Sequence, residues 1–410
     1  MPASHSLGIA LRRATIATVL AAAVIGATVW PSAAQAPKKD KDDGTFQTAA
    51  PYAILIDADT GTVLFEKNAD KLNPPASMSK LMTVEVVMHA LKEGRIKLDD
   101  EFTVSEHAWR KGGAPSGGSA MFAAINSKVS VENLLRGVMI ASGNDACIAL
   151  AEGLAGTEDA FAEMMNKRAK ELGLTQSHFS NPTGLHEPDH LMTMRELAKL
   201  AQHIQRTYPE LYKIYSEREI TWNKVRQQNR NPLLAMGIGA DGMKTGFTKE
   251  AGYGLVGSAV QNGLRLIVVV NGFKSMKERA DEGRKLLEWG FRGFEARPLF
   301  AAGETVGEAK LFGGARGHVP LVGAEAIRLL VPRNAAEKLS AKVVYSGPVR
   351  APVTKGQPIG TLKVSRGESV VLEVPLQAGE DVREGNLPQR AFDAVGELVI
   401  NVFRAGVDRL

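Results

Sequence analysis

The chain has 410 residues, 44% apolar and 23% charged, a globular balance that excludes disorder as its main state and leaves room for two or three domains of about 150 residues. Lys plus Arg total 50 against 45 for Asp plus Glu, and the net +5 comes without a basic stripe interleaved with aromatics, which excludes a nucleic-acid binder. The single cysteine, Cys147, excludes an intrachain disulfide and a cysteine-rich zinc site.

Arg12 and Arg13 precede an uncharged apolar run, Thr15 to Trp30, and the small residues Ser32, Ala33, Ala34 and Ala36 follow. This is the order of a secretory signal. Pro37 is a poor residue just after a scissile bond, so cleavage after Ala34 is favoured over cleavage after Ala36. A retained anchor is the alternative, although the run is short for the ~20 residues of a spanning helix. The reading is a signal peptide over 1–34 and a mobile mature N-terminus over 35–48, carrying the charged stretch Lys38 to Asp43.

Tyr52 to Asp57 and Thr62 to Glu66 read as two strands joined across Ala58-Asp59-Thr60-Gly61. After Pro74-Pro75-Ala76, a helix is predicted from Ser77 to Glu93, stopped by Gly94. It is apolar on nearly every side, as a buried helix is, except for Glu85 and His89 on one shared face. Its opening, Ser77-Met78-Ser79-Lys80, puts a hydroxyl and an amine on one side. A serine attacks only if a neighbouring base takes its proton, and a lysine is that base only when neutral, which burial or a nearby cation favours. A helix N-terminus also offers backbone N–H to a developing oxyanion. Taken alone the pattern is weak, and Ser77 reads more readily as an N-cap.

Ser130 is a predicted N-cap for a helix through Met139. Ser142-Gly143-Asn144 follows, with Gly143 suited to a tight turn that aims a proton-relaying hydroxyl and a substrate-holding amide the same way. An ordinary inter-helix turn has the same text. Further helices are read from near Ala146, from Glu158 to Leu172, and from Met194 to Arg206, the last with a Thr193-x-x-Glu196 capping box. Lys244-Thr245-Gly246 stands just before a strand. A fixed charge, a hydroxyl and a glycine that admits another backbone suit a terminal carboxylate on an extended ligand, while a glycine-rich hairpin with a solvated lysine is the plainer alternative. Tyr253 to Val260 and Leu266 to Val270 read as buried strands and Lys277 to Trp289 as a closing helix. Strands at both ends with helices between them point to one central sheet faced by helices.

His186-Glu187-Pro188-Asp189-His190 matches H-E-x-x-H, but Gly184 before it and Pro188 inside it predict a loop, so no metal site is expected. Cys147 reads as a small buried hydrophobe. Past Pro298, Ile327 to Val331, Ala341 to Tyr345, Ile359 to Val364 and Ser369 to Val374 read as short strands of a small all-β domain, with a helix only near Asn334 to Leu339. From Pro388 to Leu410 a helical wheel gathers Phe392, Val395, Leu398, Val402 and Phe403 opposite Arg390, Asp393, Glu397 and Arg404. By pattern alone that helix docks on a core or lies in a membrane interface.

Three motifs in one order, each in a matching element, resemble the low-molecular-mass penicillin-binding proteins that are serine-type D-alanyl-D-alanine carboxypeptidases; a closely similar trio is known for penicillin-binding proteins and serine β-lactamases. Gly118-Ser119-Ala120-Met121-Phe122, Leu135-Arg136-Gly137, Asp145-Ala146-Cys147, Asp241-Gly242-Met243 and Ala251-Gly252-Tyr253 extend the likeness, which runs from about Ala49 to the C-terminus. The resemblance implies an α/β (α+β) fold: a penicillin-binding/β-lactamase-like transpeptidase domain with a central antiparallel sheet over 49–298, a small β domain over 299–386 and an amphipathic helix over 387–410. It implies that Ser77 attacks the peptide carbonyl, Lys80 accepts its proton, and Ser142 and Asn144 complete the proton network and the substrate amide contact. It implies that Lys244, Thr245 and Gly246, helped by Arg230, hold the terminal carboxylate, with the backbone N–H of Ser77 and Phe247 as oxyanion hole. Some relatives carry His where this chain has Phe247, which keeps the backbone donor and loses a polar side chain. No cofactor is implied. The implied partners are peptidoglycan stem peptides, β-lactam antibiotics and, through the last helix, the outer face of the cytoplasmic membrane in the periplasm. A β-lactamase of the same fold would need a dedicated deacylating base, and no Glu-x-x-Leu-Asn lies between the second and third motifs. A D,D-endopeptidase remains an alternative, and a catalytically silent wall binder is disfavoured by the intact Ser77, Lys80 and Lys244.

Overall fold

The computed structural model describes residues 46–333, 339–367 and 369–387. The predicted signal, most of the charged segment after it, all but the last residue of the helix read near Asn334 to Leu339, and the C-terminal amphipathic helix lie outside the described residues.

The first hairpin forms as read, from β1 (Tyr52–Asp57) and β2 (Val63–Lys67). The chain then builds a helical layer: α1 (Lys80–Lys92), the small pair β3 (Glu101–Thr103) and β4 (Lys128–Ser130), then α2 (Val131–Met139), α3 (Asn144–Ala155), α4 (Glu158–Glu171), α5 (Met194–Thr207) and α6 (Pro209–Tyr212). A hairpin of β5 (Glu219–Trp222) and β6 (Val225–Gln228) leads to three long strands, β7 (Ala240–Thr248), β8 (Gly252–Gln261) and β9 (Leu264–Phe273), and to α7 (Met276–Gly293). The sheet order is β2-β1-β9-β8-β7, antiparallel throughout, so the first strand of the unit pairs with its last, Leu55 opposite Val268. This leaves β7 as an edge strand.

Burial on both faces explains the apolar run of β9. Ile267 and Val269 join the helical core with Met82, Val87 and Leu197, while Leu266, Val268 and Val270 join Leu286 and Leu287 of α7. Helix α1, apolar all round, sits inside the helical layer with Leu81, Met82, Val84, Val86 and Val87 buried. The capping box at α5 forms by half: Thr193 Oγ1 accepts from the N–H of Glu196 at 3.1 Å, but the Glu196 carboxylate turns to Gln176 N and Ser177 Oγ. Phe46 to Thr48, the end of the segment read as mobile, are pinned. Phe46 packs on Phe65 and Trp289, and Glu282 accepts from Thr48 Oγ1 at 2.6 Å.

β10 (Phe294–Phe300) follows α7 without an intervening residue, and it pairs with β13 (Ile327–Pro332). β11 (Thr305–Phe312), β12 (His318–Gly323), β14 (Leu339–Tyr345), β15 (Val349–Arg350), β16 (Pro358–Arg366) and β17 (Ser369–Ala378) form a six-stranded sheet ordered β14-β16-β17-β12-β11-β15 around Leu321, Leu329, Leu362 and Leu372. Leu339, the last residue of the expected helix, begins β14. β10, β11 and β12 carry Pro298, Gly307 and Pro320, which break the alternation that would have announced them. The two units are fastened by Leu330 in the α7 cluster, by the Arg328–Asp59 ion pair, and by Thr62 Oγ1 donating to Val371 O at 3.2 Å.

Candidate active site

The predicted helix start resolves into a 3-10 turn, Ala76–Ser79, running into α1. Ser77 caps nothing. Its Oγ instead accepts from Lys80 Nζ at 2.9 Å. Ala76, with φ of 49°, bends the chain into this turn, a conformation costing an L-residue about 1–3 kcal/mol. Two glycines let neighbouring segments close on the turn. A Cβ on Gly184 would lie 2.2 Å from Ala76 O, and one on Gly246 would lie 2.8 Å from Pro75 O. The backbone that Gly246 admits here is the protein's own, that of the Ser77 turn.

Lys80 is fully buried, and its Nζ has two further acceptors: Asn144 Oδ1 at 2.8 Å and the Thr183 carbonyl at 2.5 Å. Burial pushes this amine down to about 8; Arg230 lowers it further, while Cys147 and Asp145 act upward. Three acceptors match the three hydrogens of an ammonium. Once one proton leaves, Asn144 and Thr183 hold the remaining two hydrogens and the lone pair faces Ser77.

The second motif turns differently from the expectation. The left-handed residue is Ser142, φ 61°, whereas Gly143 has φ −59°. Gly143 is needed for clearance, because a Cβ there would meet Met121 N and Asp145 Oδ1 at 2.8 Å each. Asn144, read as a substrate contact, spends its oxygen on Lys80. Ser142 Oγ accepts from Lys244 Nζ at 2.8 Å, and Lys244 also donates to its neighbour's carbonyl, Thr245 O, at 3.0 Å. Lys244 is 2% exposed, and burial, then Lys80, holds its amine well below the ordinary lysine range. Burial dominates for both amines, as the sequence condition for a neutral lysine requires, and the cation that adds to it at Lys80 is Arg230. Arg230 is exposed, tethered by its N–H to Ile140 O at 3.3 Å. Thr245 is buried on β7, and Phe247 is 50% exposed, stacked on Tyr253 at 4.1 Å.

Ser77, Lys80 and Asn144 thus form one hydrogen-bonded group and Ser142 and Lys244 a second, and the 142–144 turn joins the two. Residues 34–275 match the peptidase S11 D-alanyl-D-alanine carboxypeptidase family, and residues 294–384 match the C-terminal domain of penicillin-binding protein 5. The chain belongs to the D-alanyl-D-alanine carboxypeptidase family. It is 43% identical to D-alanyl-D-alanine carboxypeptidase DacC of Escherichia coli K12, across 83% of this chain and 86% of that protein. The crystal structure of Haemophilus influenzae penicillin-binding protein 5 has 39% identity and a TM-score of 0.74, covering 83% of this chain and 99% of that one. Penicillin-binding protein D2 of Listeria monocytogenes, solved in its ampicillin-bound form, is 30% identical over 60% of this chain and 99% of that one, with a TM-score of 0.52. Family membership makes the protein a serine-type carboxypeptidase, a hydrolase.

Two groups of this carboxypeptidase's site went unread in the sequence. Asp145 is fully buried, with Oδ1 accepting from Met121 N at 2.8 Å and Oδ2 from Ala123 N at 3.1 Å, so it straps the 119–123 loop to the start of α3. Burial raises its carboxyl pKa despite these bonds. An acid in the first turn of a helix was the available signal. The Thr183 carbonyl had none, since every residue carries one. The metal-like segment is a loop: His186 is exposed, whereas His190 is 2% exposed, accepts from Ser180 N–H through Nδ1, and is pushed down to about 4 by burial. Cys147 is fully buried, and burial pushes its thiol up to about 11, which keeps it protonated at neutral pH.

Proposed function

We propose that this chain is an exported carboxypeptidase that removes the terminal D-alanine from peptidoglycan stem pentapeptides through an acyl-enzyme on Ser77. The observation that carries the reading is the Ser77–Lys80 contact at 2.9 Å, made by an amine that is fully buried. Lys80 takes the Ser77 proton as Oγ attacks the carbonyl of the penultimate residue. The oxyanion is received by the backbone N–H of Ser77 and Phe247. The proton returns through Ser142 to the departing amine as the C–N bond breaks, and water then attacks the ester with Lys80 again as base. Lys244, with Thr245, Gly246 and Arg230 around it, grips the free carboxylate. That anion neutralises Lys244 and leaves Lys80 its low proton affinity.

A β-lactam presents the same carboxylate and a strained amide, so it acylates Ser77, and its adduct is the test. Intact mass after incubation with a penicillin is expected to rise by one penicillin for the wild type and to stay unchanged for Ser77→Ala. An adduct persisting in Ser77→Ala means another nucleophile. The predicted signal supports a periplasmic location. The amphipathic wheel of the last residues supports peripheral attachment to the outer face of the cytoplasmic membrane. Among the described residues, no helix is long and apolar enough to cross a membrane. In this setting the β domain acts as a spacer or interaction module beneath the catalytic unit. The edge strand β7 admits an extended peptide, so a D,D-endopeptidase acting on cross-links is the second reading, separated by assay on cross-linked against free stem peptides.

A further inference from the structure

The loop between α4 and α5 supplies the Thr183 carbonyl to Lys80, and one side chain shapes that loop. Asn181 is 8% exposed, and its Oδ1 accepts three hydrogen bonds: from Thr183 N at 3.1 Å, Thr183 Oγ1 at 2.9 Å and Gly184 N at 2.8 Å. Its Nδ2 donates to Leu185 O at 3.0 Å. The loop is fixed further back by Asn166, which holds Phe179 through both N–H and carbonyl, and by His190, which accepts from Ser180 N. Thr83 Oγ1 of α1 donates to Pro182 O at 2.7 Å, so the residue before Thr183 is tied to the helix that carries Lys80. The peptide between Thr183 and Gly184 therefore has its direction set by Asn181 on one side and α1 on the other.

We propose that Asn181 is a positioning residue for acylation: it holds the Thr183 carbonyl where that oxygen takes one hydrogen of the Lys80 amine, which aims the lone pair at Ser77 Oγ. Without this acceptor the amine has Asn144 alone to orient it and is free to rotate about its last bond. The inference rests on the reading of Ser77 and Lys80 as nucleophile and base. The other charged or titratable groups that face Lys80 are Cys147 and Asp145 of α3, Arg230, Lys244 of β7, and His190 of the same loop. None of these is altered by substituting Asn181.

The test is the second-order rate of acylation by a fluorescent penicillin, measured on the full chain from about pH 6 to about pH 10 and normalised to the folded fraction by circular dichroism. Asn181→Ala is expected to lower the plateau about 10- to 100-fold, the cost of a misaimed base. Asn181→Asp keeps an acceptor for all three bonds and adds a negative charge near the amine. It is expected to retain most of the plateau while its acid limb moves to higher pH. A wild-type plateau and limb per folded Asn181→Ala molecule would overturn the proposal. Should that variant not fold, Asn181→Asp decides, and an unmoved limb counts against the proposal. A wild type that is never acylated at Ser77 sinks the proposed function itself, a result distinct from a normally acylated wild type whose Asn181 variants behave alike.

Discussion

Helix α1 carries two buried charge-bearing side chains five residues apart, and they are treated in opposite ways. Lys80 is surrounded by neutral oxygens, and burial, with Arg230 adding to it, holds its amine at about 8, below the ordinary lysine range. Glu85, also fully buried, is met by Arg168 at 2.9 Å, by His203 at 3.2 Å and by Tyr208 Oη at 3.1 Å. Burial alone would raise its carboxyl; His203 and Arg168 outweigh that and leave it below the usual carboxylate range. One helix thus holds a group kept short of its charge and a group kept fully charged. The first arrangement is expensive for folding and useful for proton transfer, while the second ties α1 to α4 and α5.

The contrast predicts that breaking each end has different consequences. The largest effect belongs to Lys80→Met, which keeps the volume and removes the proposed base. Acylation by a penicillin is expected to fall about 10²- to 10⁴-fold, with no loss of melting temperature. The pH dependence has a definite sign. Wild-type acylation should rise with pH through about 8, as Lys80 loses its proton. Over the window from about 8 to 10.5 the unfolded chain holds a proton that the folded chain does not, so wild-type stability should also rise there, and Lys80→Met should lose that gain. Next comes Glu85→Gln, expected to cost about 2 kcal/mol in denaturant unfolding because half-buried Arg168 loses its charge-assisted bond to a fully buried carboxylate and keeps only Glu171, while acylation per folded molecule is retained. The stability from Glu85 is present above the ordinary carboxyl range and is lost as pH falls through its depressed folded value, so the two proteins should converge in acid. The smallest is His203→Ala, which takes one of three partners from Glu85 and should cost about 1 kcal/mol by the same measurement. Equal losses of acylation at both ends would erase the contrast.

Much of this was legible in the sequence because the relevant signals are local. The spacing of Ser77 and Lys80, the caps at Ser130 and Thr193, and the apolar run of β9 each depend on neighbours a few residues away. What escaped depends on distant segments. Gly143 looks like a turn glycine, yet its role is set by Met121, twenty-two positions earlier. Asn144 also gives its oxygen to Lys80, a contact across sixty-four positions that no local pattern announces. Glu85 and His89 share a face as read, yet Glu85 finds its partners on α4 and α5, and His89 pairs with Glu93. The strands before Ile327 were missed because prolines and glycines interrupt their alternation while the sheet around them supplies the missing order.

The direct passage of α7 into β10 has a mechanical consequence. Gly293 ends the helix and Phe294 begins the strand, so there is no slack between them. One residue added within α7 would rotate everything downstream by ~100° and advance it ~1.5 Å. That turn would tear Leu330 from its seat and separate Arg328 from Asp59. The helical phase of α7 therefore sets how the β domain is turned against the catalytic unit.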